Sequence, residues 1–159
     1  MRESITVPAS TAAVFALLTD PARHHEFDGS QMLRGPAGDG LIAAVGDTFL
    51  MRMWLESIGD YVMLNRVLAY ETGQLIIWEP TPGDRVSSRH AELPVGASQG
   101  YWWGFELEAA GDDRTVVTEM FDCSRADPDL RTHLSDGEVW RPAMAESLGR
   151  IAAAVTGVA

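Results

Sequence analysis

The segment Tyr101–Ala109 constrains the fold most. Tyr101, Trp103, Phe105 and Leu107 fall on one parity, and Trp102, Gly104, Glu106 and Glu108 on the other. This two-residue period is that of a strand with one face against a core. Gly111-Asp112-Asp113 then supplies a turn into Arg114–Cys123, so the two runs form an antiparallel hairpin. The pattern changes after it. Ser135-Asp-Gly-Glu138 matches a capping box, and Trp140, Met144, Leu148, Ile151 and Val155 recur at helical spacing. Pro142 lies inside that run, so the helix either kinks there or begins at Arg141–Pro142.

The N-terminal half is consistent with such a sheet. Glu3–Val7 reads as an edge strand closed by Pro8. Ser10 caps a short helix carrying Val14, Phe15, Leu17 and Leu18, and Asp20-Pro21 starts a second one that ends near Asp28-Gly29. Ser30–Arg34 has weak strand character, Thr48–Leu55 is rich in large apolar side chains, Asp60–Glu71 alternates loosely, and Leu75–Glu79 follows across the Thr72-Gly73 turn. Thr81–Gly100 is poorly patterned and is expected to hide a further strand around Arg85–Leu93 or to form a flap. One strand, two short helices, about six strands and one long helix make an α+β domain spanning 1–159, with one face of the sheet covered by the helix. A sheet curling round a single helix leaves space that large side chains or a ligand must fill. The bulky residues available to it include Tyr101, Trp103, Phe105, Met120, Trp140, Met144 and Leu148.

Composition excludes several partners. With 159 residues, 46% of them hydrophobic, the chain can bury one core, and 22% charged residues give an ordinary polar surface. The net charge of −11, with no lysine at all, opposes binding to nucleic acid or to an anionic membrane. Apolar runs such as Leu41–Val45 and Leu75–Trp78 are far short of the roughly 20 residues of a membrane span, and Met1–Pro8 carries no signal-peptide run, so a cytoplasmic protein is expected. The single Cys123 reads as a small buried residue.

The stretch from Ile5-Thr-Val-Pro through Asp20-Pro-Ala-Arg-His-His-Glu-Phe-Asp-Gly-Ser30 resembles the opening of the polyketide cyclase/dehydrase and lipid-transport family. That family belongs to the START-like (birch-pollen-allergen-like, SRPBCC) superfamily. The hairpin Tyr101-Trp-Trp-Gly-Phe-Glu-Leu-Glu-Ala109 and Arg114–Ser124 is similar to its late strands, and the terminal helix stands where the family's cavity-lining helix lies. The resemblance covers nearly the whole chain. It implies a helix-grip fold, a curved antiparallel sheet of about six to seven strands around a long C-terminal helix. It also implies a cavity for an apolar or amphipathic ligand of lipid, polyketide or isoprenoid type. Members carry lipids, hormones and polyketides, and only some catalyse.

Three functions follow as expectations. The first is binding of a hydrophobic small molecule, without cofactor or metal, by a monomer or homodimer. Its expected liners are Trp54, Arg66, Trp78, Tyr101, Trp103, Phe105, Met120, Trp140, Met144 and Leu148. The second is a polyketide aromatase/cyclase or dehydratase in the same cavity, with Arg66, His90 and Tyr101 as candidate participants and Asp122 or Glu119 as further candidate bases. The third is a protein-interaction domain of chaperone-activator type. Arg66 and Arg52 each have two readings: an inward fork of donors for a ligand oxygen, or an outer-face group in solvent or paired with Glu119 or another strand acid. His24 and Asp28 share a helical spacing of four, yet two ligands make no metal site.

Overall fold

The computed structural model describes residues 1–84 and 93–157. Seven strands form one antiparallel sheet: β1 (Arg2–Val7), β2 (Leu33–Pro36), β3 (Thr48–Leu55), β4 (Gly59–Glu71), β5 (Leu75–Pro82), β6 (Trp102–Ala109) and β7 (Thr115–Asp122). The spatial order is β1-β7-β6-β5-β4-β3-β2, so β1 crosses the sheet to pair with the last strand and every other neighbour is joined to the next in sequence. The sheet curves around the helix α4 (Arg141–Thr156). Between β1 and β2 run α1 (Thr11–Leu18), a turn of tight helix at Pro21–Arg23, and α2 (His24–Phe27). This is the expected helix-grip α+β fold.

Local chemistry sets the element ends. Ser10 Oγ accepts from the Ala13 amide and Asp20 Oδ1 from the Ala22 amide, each satisfying a free helical N–H. Alternation decides the faces of the sheet. On β4, Tyr61, Met63, Asn65 and Val67 are buried while Arg66 and Leu68 are exposed. A bulge between Val67 and Ala69 adds one unpaired residue against β5, the kind of irregularity that increases local twist and bend. Beyond Trp78, β5 leaves β6 and pairs with β4 alone, so Pro80 and Pro82 fall where a missing N–H breaks no second ladder.

Two expectations change at the C-terminal end. The capping box does not form: Ser135 and Asp136 have φ of 47° and 51°, left-handed backbone that carries no N-cap geometry. Ser135–Trp140 is instead a tight, interrupted turn, and α4 begins at Arg141 with Pro142 in its first turn, where a missing N–H costs nothing. A further helix, α3 (Pro128–His133), is capped by Asp127. The helix α4 ends at Gly157, whose φ of 67° gives the left-handed stop. The suggested strand around Arg85–Leu93 falls almost wholly outside the described residues.

α4 lies close against the corner after α2. The Gly29 amide donates to Ser147 Oγ at 3.0 Å, and a Cβ on Gly29 would stand 2.1 Å from the Ala143 carbonyl oxygen. Only glycine permits that approach. Buried side chains form two clusters. One joins α1, the sheet and the C-terminal half of α4 through Phe15, Leu17, Val117, Leu148 and Ile151. The other gathers Phe121, Cys123, Leu134 and Met144, with Trp103 and Trp140 packed against it.

Candidate functional site

A cavity of about 230 Å³ lies between the concave face of the sheet and α4, lined by members of both clusters. β3 contributes Phe49, Met51 and Met53, and β4 contributes Tyr61, Met63 and Asn65. Trp78, Trp103, Phe105 and Phe121 come from β5, β6 and β7, and Trp140, Ala143, Met144 and Ser147 close the helix side. His24, Phe27 and Asp28 form the wall at α2. Every strand contributor has the inward parity of its strand, so the lining follows from the pleat.

The aromatic walls are organised in two groups. His24 stacks on Trp78 at 5.6 Å between centroids and meets Phe49 edge-on at 5.5 Å. Across the site, Trp103 packs on Phe121 at 4.6 Å and on Trp140 at 5.6 Å. Such edge and offset contacts fix ring orientation and leave a shaped, apolar surface.

A few polar groups interrupt it. His24 is 3% exposed, and Nε2 lies 2.8 Å from the Leu18 carbonyl, which can only accept, so Nε2 carries the proton. Burial pushes the imidazole pKa down from 6.5 to about 4, leaving a neutral ring at pH 7. Asp28 is held by its own turn: Oδ1 accepts from the Ser30 amide and hydroxyl, and Oδ2 from the Leu33 amide at 2.7 Å. Gln99 Nε2 donates to the Tyr101 hydroxyl at 3.3 Å.

Glu119 differs from all of these. It is 5% exposed and faces Phe105 across the β6–β7 ladder, and its Oε2 has no hydrogen-bond partner. Burial first, then the negative charge of Asp28, holds its carboxyl well above the usual range. Trp140 Nε1 is likewise buried without a partner. Most buried polar atoms in proteins are paired, so an orphan on the β7 side and another on the helix side of one cavity are notable.

Of the residues proposed from the sequence, Trp78, Tyr101, Trp103, Phe105, Trp140 and Met144 line the cavity. Trp54, Arg66, Met120 and Leu148 do not. Trp54 is 39% exposed on the outer face, with the Arg34 guanidinium 5.1 Å from its ring centroid. Arg66 has the outward parity of β4, opposite Glu79 of β5. Arg52 is exposed in the same way. Met120 is buried but has the opposite parity to Glu119 and Phe121, and Leu148 packs into the α1-side cluster. Glu119 faces inward, so it is not the outer-face partner suggested for an arginine. His90 lies outside the described residues. Among the described residues, no three His, Cys, Asp or Glu side chains gather as a metal site would require, and no helix is long and apolar enough to cross a membrane.

Sequence reasoning missed the β3 and β4 liners and His24 as a wall residue, and it left Glu119 between a cavity base and an outer-face partner for an arginine. The parity of Tyr61, Met63 and Val67 places Asn65 inward and Arg66 outward, and that signal was readable. β7 offered less, because both of its faces are buried from Val117 to Phe121.

No family model matches the chain. It is similar to the uncharacterised protein Rv0088 of Mycobacterium tuberculosis, 32% identical over 119 residues that cover 75% of this chain and 45% of that protein. The chain thus spans less than half the length of the curated relatives it matches. Among solved structures it resembles protein Ms6760 from Mycobacterium smegmatis (TM-score 0.68, 13% identity, covering 99% of this chain and 91% of that one). It also resembles the Aha1 dimer from Colwellia psychrerythraea (TM-score 0.60, 14% identity, 98% and 94% covered). A third is DynU16, a putative protein of the dynemicin biosynthetic locus (TM-score 0.59, 17% identity, 99% and 47% covered). These likenesses bear on the fold alone, a curved antiparallel sheet gripping a long C-terminal helix.

Proposed function

We propose that this chain is one helix-grip domain that binds a compact apolar small molecule between its sheet and α4. The observation that carries this reading is the cavity wall: aromatic and methionine side chains from β3 to β7 and α4 surround a space that the helix does not fill. A mostly apolar hollow with a few placed polar groups is the usual form of a small-molecule site. At about 230 Å³ it falls below the roughly 300–1,000 Å³ common for drug-sized ligands, which favours a small or slender molecule.

A second reading, cyclase or dehydratase chemistry in the same cavity, is supported by three titratable side chains, His24, Asp28 and Glu119, among its lining residues. The likeness to a protein from a dynemicin biosynthetic locus is compatible with it. The likeness to an Aha1 dimer leaves a protein-interaction role as a third.

Native mass spectrometry of gently purified protein, followed by extraction of any retained molecule, tests the first reading. A stoichiometric apolar companion is expected. A clean unliganded mass, with no uptake from a panel of lipids and aromatic polyketides, would overturn it.

A further inference from the structure

Within the cavity, three observations on Glu119 converge. Its carboxyl is buried and faces Phe105, Oε2 is unpartnered, and no arginine or lysine is among the described residues that line the space. A buried carboxylate with no cation beside it is heavily penalised, whereas a carboxylic acid is a neutral group with one O–H to donate. The surroundings agree with the neutral form. Asp28 brings negative charge near it, and Glu3, its neighbour across the β1–β7 ladder, is already paired with Arg141. The His24 ring is neutral and spends its Nε2 proton on Leu18. Among the described residues, no cation lining the cavity compensates an ionised Glu119. Its burial raises the carboxyl for the same reason.

We propose that Glu119 anchors the ligand as a neutral carboxylic acid, donating a hydrogen bond to an uncharged oxygen acceptor, a ketone, aldehyde, ester or amide carbonyl, on an otherwise apolar molecule, with the Trp140 indole N–H as a second donor. The proposal rests on the cavity-binding reading and narrows it. It selects against free fatty acids and other carboxylates, because such a head group would enter a space that holds Asp28 and, among the described residues, no cation. Among the described residues lining the cavity, Glu119 Oε2 on the sheet side and Trp140 Nε1 on the helix side are the orphaned polar atoms. A carbonyl would give the Glu119 carboxyl the partner it lacks, and a pure hydrocarbon would leave it unpaired. That difference is the basis of discrimination, since a buried group left without its partner costs more than the bond itself contributes.

Three probes of similar size separate the possibilities: acetophenone, ethylbenzene and benzoate. Dissociation constants at pH 7 would be measured by ligand-observed NMR, and bound acetophenone, labelled with carbon-13 at the carbonyl, by infrared difference spectroscopy. Wild type is expected to prefer acetophenone over ethylbenzene by roughly tenfold, the size of one net hydrogen bond, and to bind benzoate most weakly. The bound carbonyl band is expected below its position in an apolar solvent. In Glu119→Met the preference should collapse toward parity and the band should shift back. Glu119→Gln, which keeps shape and an N–H donor, should retain part of both, and it remains informative if the methionine variant folds poorly. Trp140→Phe should lose a smaller part. If ethylbenzene and acetophenone bind wild type equally, or if Glu119→Met leaves preference and band in place, Glu119 is not the anchor although the cavity binds ligands. Preference for benzoate would overturn the neutral-ligand assignment. Failure of all three probes to bind would remove the cavity-binding reading and this proposal with it.

Discussion

The imidazole of His24 stacks on the indole of Trp78, 5.6 Å between centroids and 24° from parallel, while its Nε2 proton is given to the Leu18 carbonyl at 2.8 Å. The ring is thereby both a wall of the cavity and the tie between α1 and α2. It can serve so only while neutral. Its folded pKa of about 4 lies below its ordinary 6.5, so the unfolded chain binds more protons between those values. The stability it contributes is present above about pH 6.5 and is lost as pH falls toward 4. The expected loss is at most about 3 kcal/mol. Urea unfolding of wild type and His24→Gln at pH 7, 5.5 and 4 checks this. The two curves should converge as pH falls, and a constant gap would show that His24 is not held neutral by burial.

Glu119 has the opposite sign. Its folded carboxyl is raised above the ordinary 4.5, so its favourable contribution is complete below that pH and declines as pH rises toward the folded value. Asp28 adds to the shift, and the Glu3–Arg141 pair on β1 and α4 does not relieve it. Glu119→Gln should therefore gain stability relative to wild type between pH 5 and pH 8, measured by the same unfolding curves at roughly these values. A gap between the two proteins that ignores pH would mean that the carboxyl is solvated.

Gly29 is expected to be intolerant. An added methyl would meet the Ala143 carbonyl oxygen at 2.1 Å and the Ser147 nitrogen at 2.6 Å, both backbone atoms of α4 that cannot swing aside. Gly29→Ala should cost about 1–3 kcal/mol and displace α4, with loss of the hydrogen bond to Ser147. A thermal melt within a degree of wild type would contradict the close approach.

Trp103 joins the two sides of the cavity through Phe121 and Trp140. Trp103→Ala should weaken binding of an apolar probe and destabilise the fold by about 3 kcal/mol, the low end for large aromatic truncations because the ring is only partly buried. Unchanged binding in a folded variant would place Trp103 outside the site.

Arg66→Met is expected to leave ligand binding as it is, since the side chain is on the outer face opposite Glu79. A selective loss of ligands with a polar head, seen in the same NMR titrations, would put Arg66 inside and require a different register for β4.

The sequence by itself determined the order of the strands, the two short helices after β1, the β6–β7 hairpin and the parity of its aromatic face, because strand alternation, turn residues and helix caps are local rules that act within a few residues. Ser10 and Asp20 cap as their identity requires, and Trp103 and Phe105 face inward as their spacing requires. Tertiary structure alone decided the rest. A capping-box pattern at Ser135 was overridden by left-handed backbone at Ser135 and Asp136. Glu119 could not be told from an outer-face acid, because β7 is covered on both sides and its parity carries no contrast. The neutral state of His24 and the loneliness of Glu119 Oε2 depend on groups brought together from α2, β1, β6 and α4. Burial and partnership are properties of what surrounds a side chain, and only the folded chain supplies the surroundings.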